Sequence, residues 1–126
     1  MPKFRSRLEQ RVAKRLSNQW RYECEELAYI SSHIYHPDFS ADGVHLEVKG
    51  RFRTSGEARK YIDVREANPD CCIIFVFQSD TTPMPGAKRR ADGTKRTMSE
   101  WATEKGFLWT TEHEVSDKKI KELLAQ

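Results

Sequence analysis

Asp38, Glu47 and Lys49 are residues whose types and spacing could do chemistry together. Between them lies Asp42-Gly43, and both residue types tolerate the positive φ of a two-residue hairpin turn. After the turn, Val44, Leu46 and Val48 alternate with His45, Glu47 and Lys49, the period-2 signature of a half-buried strand. A turn at 42–43 sets the register: Ala41 opposite Val44, Phe39 opposite Leu46, and Asp38 opposite Glu47. Facing residues share one side of a sheet with Cβ atoms about 5 Å apart, and like charges so placed repel. Two carboxylates held there need a proton or a cation between them, with Lys49 on the same face.

Carboxylate oxygens suit magnesium or manganese rather than zinc. The candidate ligands are Asp38, Glu47, the backbone carbonyl of Val48 between the hairpin side chains, and Glu9. A magnesium ion bound by few carboxylates keeps waters, so it can acidify one of them and also hold a phosphate oxygen. Lys49 is placed to orient the attacking water or to balance charge on the transition state. The chemistry expected is phosphodiester hydrolysis without a covalent enzyme intermediate. Other routes fare worse. No glycine-rich phosphate loop occurs, no serine sits on an evident nucleophile turn, and Cys24, Cys71 and Cys72 lie in strand-like settings that suit inert thiols. A zinc site gathered from His33, His36 and His45 lacks the usual ligand spacing.

Charge along the chain is segregated. Residues 1–21 hold Lys3, Arg5, Arg7, Arg11, Lys14, Arg15 and Arg21 against Glu9 alone, whereas residues 22–48 hold acids and no Lys or Arg. Basic segments return at 49–65 and 83–96. An acidic patch flanked by basic runs suits an enzyme that grips a polyanion and concentrates cations at one point. The candidate DNA contacts are Arg5, Arg7, Arg51, Arg53, Lys88, Arg89, Arg90, Lys95 and Arg96.

The elements that must position these groups follow from periodicity and capping. A first helix is expected over 6–17, with Phe4, Leu8, Val12, Ala13 and Leu16 on one broad face and Glu9 inside that apolar stripe. A buried carboxylate must be paired or metal-bound. Residues 22–28 read as a strand, 30–34 as a short connector, and 57–67 as a second helix ended by Asn68-Pro69. The apolar run 71–77 should be a central strand covered on both faces. An exposed loop is expected over 79–95. Thr97 and Glu100 form a capping box, with Gly106 as the stop, and Ser116 caps a last helix after a strand at 107–110. The chain of 126 residues is expected to be one α/β domain, a mixed central β-sheet flanked by helices. It shows no membrane-length apolar run and no signal-peptide pattern, and its cysteine usage suits a reducing cytoplasm.

The spacing of Asp38 to Glu47-Val48-Lys49 resembles the pattern of the PD-(D/E)xK nuclease superfamily. Phe4-Arg5-Ser6-Arg7-Leu8-Glu9, Tyr35-His36-Pro37-Asp38-Phe39, Glu47-Val48-Lys49-Gly50 and Val64-Arg65-Glu66 are similar to strings of the phage endonuclease I family, the Holliday-junction resolvases of T-odd phages. Ser99-Glu100-Trp101 and Glu104-Lys105-Gly106 resemble that family's later helix and its stop. The resemblance implies a PD-(D/E)xK nuclease-like fold and a magnesium-dependent (manganese as substitute) deoxyribonuclease of the host cytoplasm. Such an enzyme resolves four-way junctions and other branched DNA by paired nicks. The catalytic residues it implies are Glu9, Asp38, Glu47 and Lys49. It further implies a domain-swapped homodimer, with 1–29 exchanged between subunits, 30–34 as bridge and 35–126 as catalytic body, so that Glu9 completes the partner's site. A less structure-selective phage nuclease and a non-catalytic DNA-binding module on the same fold are the alternatives.

Overall fold

In the computed structural model, residues 4–29 and 33–126 are described. Their elements run α1 (Arg7–Ala13), β1 (Arg21–Tyr22), β2 (Leu27–Tyr29), β3 (His33–Tyr35), β4 (Phe39–Ala41), β5 (Val44–Lys49), α2 (Ser55–Ala67), β6 (Cys72–Phe77), α3 (Met98–Glu104), β7 (Leu108–Thr111) and α4 (Asp117–Leu124). A five-stranded sheet has the order β1-β4-β5-β6-β7, and β2 pairs with β3 separately. The β4–β5 pair is antiparallel, whereas β5–β6 and β6–β7 are parallel, so the sheet is mixed.

The β4–β5 hairpin has the predicted register, Ala41 with Val44 and Phe39 with Leu46. Its turn uses Asp42 at φ +50° and Gly43 at φ +78°, the double positive φ of a type I′ turn. The ladder stops at Phe39, and Asp38 lies beyond it. Asp38 instead accepts the Val48 N–H on Oδ2 at 2.8 Å. The expected cross-strand pair of Asp38 and Glu47 is therefore not part of the ladder. β5 is also not half-buried as expected, since His45 and Glu47 are buried along with Leu46 and Val48. Helices cover both sides of the strand.

β6 is the predicted central strand and separates two cores by alternation. Ile74 and Val76 pack with Val12 of α1 and with Ile120 and Leu123 of α4. Ile73, Phe75 and Phe77 pack with Tyr61 of α2 and Trp101 of α3. Each helix begins where a hydroxyl takes an otherwise unbonded N–H: Ser6, Thr54, Thr97 and Ser116 accept from the residue three positions on.

Three boundaries differ most from expectation. α1 ends at Ala13, and tighter bonds from Arg15 N–H to Val12 and Leu16 N–H to Ala13 finish the run. The strand expected over 22–28 is broken at Glu23, whose φ of +47° turns the chain away from β1. The connector expected over 30–34 is partly strand, because His33 and Ile34 belong to β3 and pair with Tyr29 and Ala28. The remainder of that bridge, 30–32, lies outside the described residues.

Candidate active site

The end of β5 projects its polar residues from the sheet edge where the chain leaves for α2. Ligand sites of α/β sheets gather at such carboxyl ends of parallel strands. A cavity of about 450 Å³ opens there, bordered by Arg5, Ser6, Glu9, Asp38, Glu47, Val48, Lys49, Gly50, Arg51, Arg53 and Glu57. The predicted catalytic and ligand residues are thus brought together, with Arg5, Arg51 and Arg53 at the rim.

Each acid is held by a different element. The Ser6 hydroxyl accepts the Glu9 N–H at 3.0 Å, fixing the first turn of α1 so that Glu9 is buried. Its Oε1 accepts the Arg5 N–H at 2.9 Å and the Tyr22 hydroxyl at 2.6 Å. A single chain therefore supplies partners for Glu9 and sets it beside its own Asp38 and Glu47. Arg5 and Tyr22 belong to the same segment, 1–29, as Glu9, so these bonds are the same with or without exchange.

Glu47 is buried among aromatic rings but fully bonded. Its two oxygens accept the hydroxyls of Tyr35 at 2.5 Å and Tyr61 at 3.0 Å, and Lys49 Nζ stands 3.4 Å from Oε2. Lys49 also donates to Glu57 Oε1 at 2.8 Å, while Glu57 Oε2 accepts the Arg53 N–H at 3.1 Å.

The electrostatics follow from burial and crowding. Desolvation, together with the charges of Glu47 and Glu9, pushes the Asp38 carboxyl up to about 9 despite its bond from the Val48 N–H. Burial alone would lower Lys49, but Glu47 and Glu57 outweigh it and hold the ammonium above its ordinary value. For Glu57 burial works upward and is outweighed by Lys49 and the Arg53 N–H, so its carboxylate is held low. Burial, and then the bond to Glu9, raises Tyr22 to about 12. Tyr35 and Tyr61 are raised by burial first and by Glu47 second, so both remain donors.

Among the described residues, no group of three His, Cys, Asp or Glu side chains is arranged to hold a metal ion as it stands. The residues nonetheless fit a hard cation chemically. Burial first, and then the charges of Glu47 and Glu9, favour a proton on Asp38, and a divalent cation can take the place of such a proton. Asp38, Glu47, Glu9 and the Val48 carbonyl are the oxygen donors at the cavity; both Glu47 oxygens accept tyrosine hydroxyls, whereas the bonds from Tyr22 and the Arg5 N–H fall on Glu9 Oε1 alone.

The loop cations lie elsewhere. Arg90 is bonded through two nitrogens to Glu100, at 2.7 and 3.0 Å, and Arg96 is paired with Glu104. Arg89 donates to the Gly93 carbonyl at 2.7 Å. Lys88 and Arg96 border a second cleft rather than the acidic cavity. Arg7 is exposed on α1 and does not line the cavity, and Lys95 lies in the loop before α3. Arg5 is more than a surface cation, since Nη2 stands 2.7 Å from Glu23 and 3.4 Å from Asp38.

Sequence reasoning missed Tyr22, Tyr35, Tyr61 and Glu57. Glu57 had a legible signal, because it sits three residues after the Thr54 cap and eight after Lys49. The tyrosines carry no such signal, because nothing local says which carboxylate their hydroxyls meet.

Fold and site define an α/β domain with a cluster of buried acids and one lysine at the mouth of a parallel strand. The chain belongs to the phage endonuclease I family, whose pattern matches residues 1–125. It is 31% identical over 113 residues to Endodeoxyribonuclease 1 of Enterobacteria phage T3, covering 84% of this chain and 70% of that protein. It is 35% identical over 88 residues to Endonuclease I of Escherichia phage T7, covering 64% of this chain and 58% of that protein. Among the described residues, no helix is long and apolar enough to cross a membrane.

Proposed function

We infer that the chain is a metal-dependent endodeoxyribonuclease of the PD-(D/E)xK kind that resolves Holliday junctions and other branched DNA by paired nicks. The observation that carries this reading is one cavity bordered by Glu9, Asp38, Glu47 and Lys49 with arginines at its rim. The names of the phage relatives support the nuclease assignment, and the strings that resemble the junction-resolving family support the branched substrate.

Asp38, Glu47, the Val48 carbonyl and Glu9 would hold magnesium or manganese. The bound ion supplies a polarised phosphoryl oxygen and an acidified water. The chain's own groups do the positioning. Tyr35 and Tyr61 fix both oxygens of Glu47, so the carboxylate cannot rotate away from the cavity. Glu57 holds Lys49, whose raised pKa keeps it a cation at neutral pH. Lys49 therefore acts as a donor to the phosphate or the attacking water and stabilises developing charge, rather than serving as a base. Arg5, Arg51 and Arg53 draw the polyanion toward the acids.

Paired nicks need two sites, and the reading includes a homodimer that exchanges 1–29 across the bridge at 30–34. The contacts of α1 with the hairpin are the same in kind whether made within a chain or between chains, the general condition for domain swapping. Mixed dimers of a Glu9→Ala chain and an Asp38→Ala chain test this. Exchange restores one intact site and single nicks; closed subunits restore none.

The reaction is tested with the purified protein on a labelled four-way junction and on its linear arms, with magnesium or with EDTA. The reading requires paired cuts in the junction with magnesium and none in EDTA. Equal cutting of the linear arms would replace it with an unselective nuclease, and binding without cutting with a non-catalytic module.

A further inference from the structure

A second cleft lies across the start of α2 from the acidic cavity. Its volume is about 550 Å³, and Ser55, Gly56, Arg59, Lys88, Arg96 and Lys105 border it. These residues come from α2, from the loop before α3, and from the end of α3. The fold thus converges like charges from separate elements, which costs free energy unless an anion is present to receive them. Arg96 is committed to Glu104, but Arg59, Lys88 and Lys105 form no ion pair among the described residues. All three are exposed, so they are free to meet a ligand in solvent.

Backbone donors add to the cations. The Thr54 hydroxyl takes the Glu57 N–H at 3.1 Å, and the Thr54 carbonyl takes the Ala58 N–H at 3.5 Å. The Ser55 and Gly56 N–H groups are left without an intrahelical acceptor at the positive end of a 13-residue helix. The cleft also has an apolar wall, from Ile62, Met84 and Trp101. Cations and N–H donors beside an apolar wall match a phosphodiester with its sugar, and do not match a free hydrophilic anion as well.

The same helix start separates the two sites. Arg53 and Glu57 border the acidic cavity, while Ser55, Gly56 and Arg59 border the cleft. One helical turn spans about 5.4 Å, and each strand of duplex DNA presents a phosphate about every 3.4 Å of axis. A strand whose scissile phosphate sits at Lys49 therefore carries another phosphate within reach of the cleft a few nucleotides away. We propose that this cleft, built by Arg59, Lys88, Lys105 and the first turn of α2, is a second phosphate subsite that grips the cleaved DNA strand to one side of the cut. This assignment rests on the nuclease reading above. It makes α2 the bar over which the strand is laid.

The test is equilibrium binding of a labelled junction in EDTA, which prevents cleavage, over a range of salt concentrations. Arg59→Gln with Lys105→Gln should weaken binding about tenfold and reduce the slope of log K against log salt by about one, one phosphate contact contributing about 0.9. Lys118→Gln with Lys121→Gln removes the same charge from exposed positions on α4, on the other side of the sheet, and should leave the slope near that of the wild type. Ser55→Pro deletes one N–H at a first helical position that accepts proline, behind a residue already extended at φ −141° and ψ 161°. It should weaken binding about threefold, as expected for one hydrogen bond. Unfolding temperatures confirm that each variant is folded. An unchanged slope in the Arg59/Lys105 variant, or an equal loss in the Lys118/Lys121 variant, overturns the subsite while the nuclease reading stands. A wild-type chain that binds no DNA overturns both.

Discussion

The two faces of the sheet are built from different materials. Between the sheet and α1 and α4 the core is largely aliphatic: Val12, Leu46, Val48, Ile74, Val76, Val115, Ile120 and Leu123, with Phe39. Between the sheet and α2 and α3 it is largely aromatic: Phe52, Tyr61, Phe75, Phe77, Trp101 and Phe107. β5 sends Leu46 and Val48 to the first face and Glu47 to the second. On the second face a carboxylate can be buried because a tyrosine brings a hydroxyl on the tip of an apolar ring. Tyr35 and Tyr61 do this for Glu47, and their rings meet edge to face at 5.6 Å. The aromatic face thus combines packing with a buried carboxylate, whereas on the other side Glu9 of α1 meets the Tyr22 hydroxyl.

The largest expected effect is on the chemistry alone. Asp38→Asn should lower cleavage at least about 10²- to 10³-fold, the cost of losing one preorganised charged group, while junction binding by gel shift stays close to wild type. The same variant sharpens the pH behaviour of the metal-free protein. The Asp38 carboxyl is raised in the folded state from 3.8 to about 9. The folded chain then holds a proton that the unfolded chain releases, so the stability linked to this group is full below about pH 3.8 and is lost as pH rises toward 9. In EDTA the unfolding temperature of the wild type should fall more across that window than that of Asp38→Asn. An identical pH dependence in the two proteins would show that Asp38 ionises freely.

Leu46→Ala probes the aliphatic face at a position with no exposed surface. It should cost about 2–5 kcal/mol in denaturant unfolding, from lost transfer energy plus a cavity. Cleavage per folded molecule should change far less than in Asp38→Asn.

Tyr61→Phe probes the aromatic face with the ring kept. It leaves Glu47 Oε2 without its 3.0 Å hydroxyl donor and should cost about 1–3 kcal/mol. Unlike Leu46→Ala, it should also slow cleavage under conditions where the protein is fully folded. If both variants lower stability and neither slows cleavage, the contrast between the faces is one of packing only.

The smallest effect is expected at the hairpin. Gly43→Ala meets no atom within 4 Å, so its cost is the strain of an alanine at φ +78°, about 1–2 kcal/mol. The unfolding midpoint should shift by that amount without any change in metal-dependent cleavage.

Much of this was legible along the chain because it depends on near neighbours. The alternation in 44–49 and Asp42-Gly43 were enough to place the hairpin and its register, and the run 71–77 was enough to place the central strand. Ser6, Thr54, Thr97 and Ser116 mark helix starts because a cap acts within one turn. The break at Glu23 was not legible, since a positive φ at a glutamate is imposed by surrounding contacts, here the bond from its N–H to the Asp38 carbonyl at 2.9 Å. Nor was the division of labour among the basic residues. Arg11 looked like part of a DNA-gripping run, yet it pairs with Glu112 at 2.5 Å and ties α1 to the end of β7.

The sequence by itself determined which residues could carry the proposed chemistry: residue type singles out the acids and the lysine, and a period of two places Glu47 and Lys49 on one strand. Only the tertiary structure decided the state of those residues. A pKa of about 9 at Asp38, the hydroxyls that pin Glu47, and the cleft across α2 all arise from contacts between different elements. Desolvation and through-space charge depend on distance in three dimensions, and no local pattern encodes that distance.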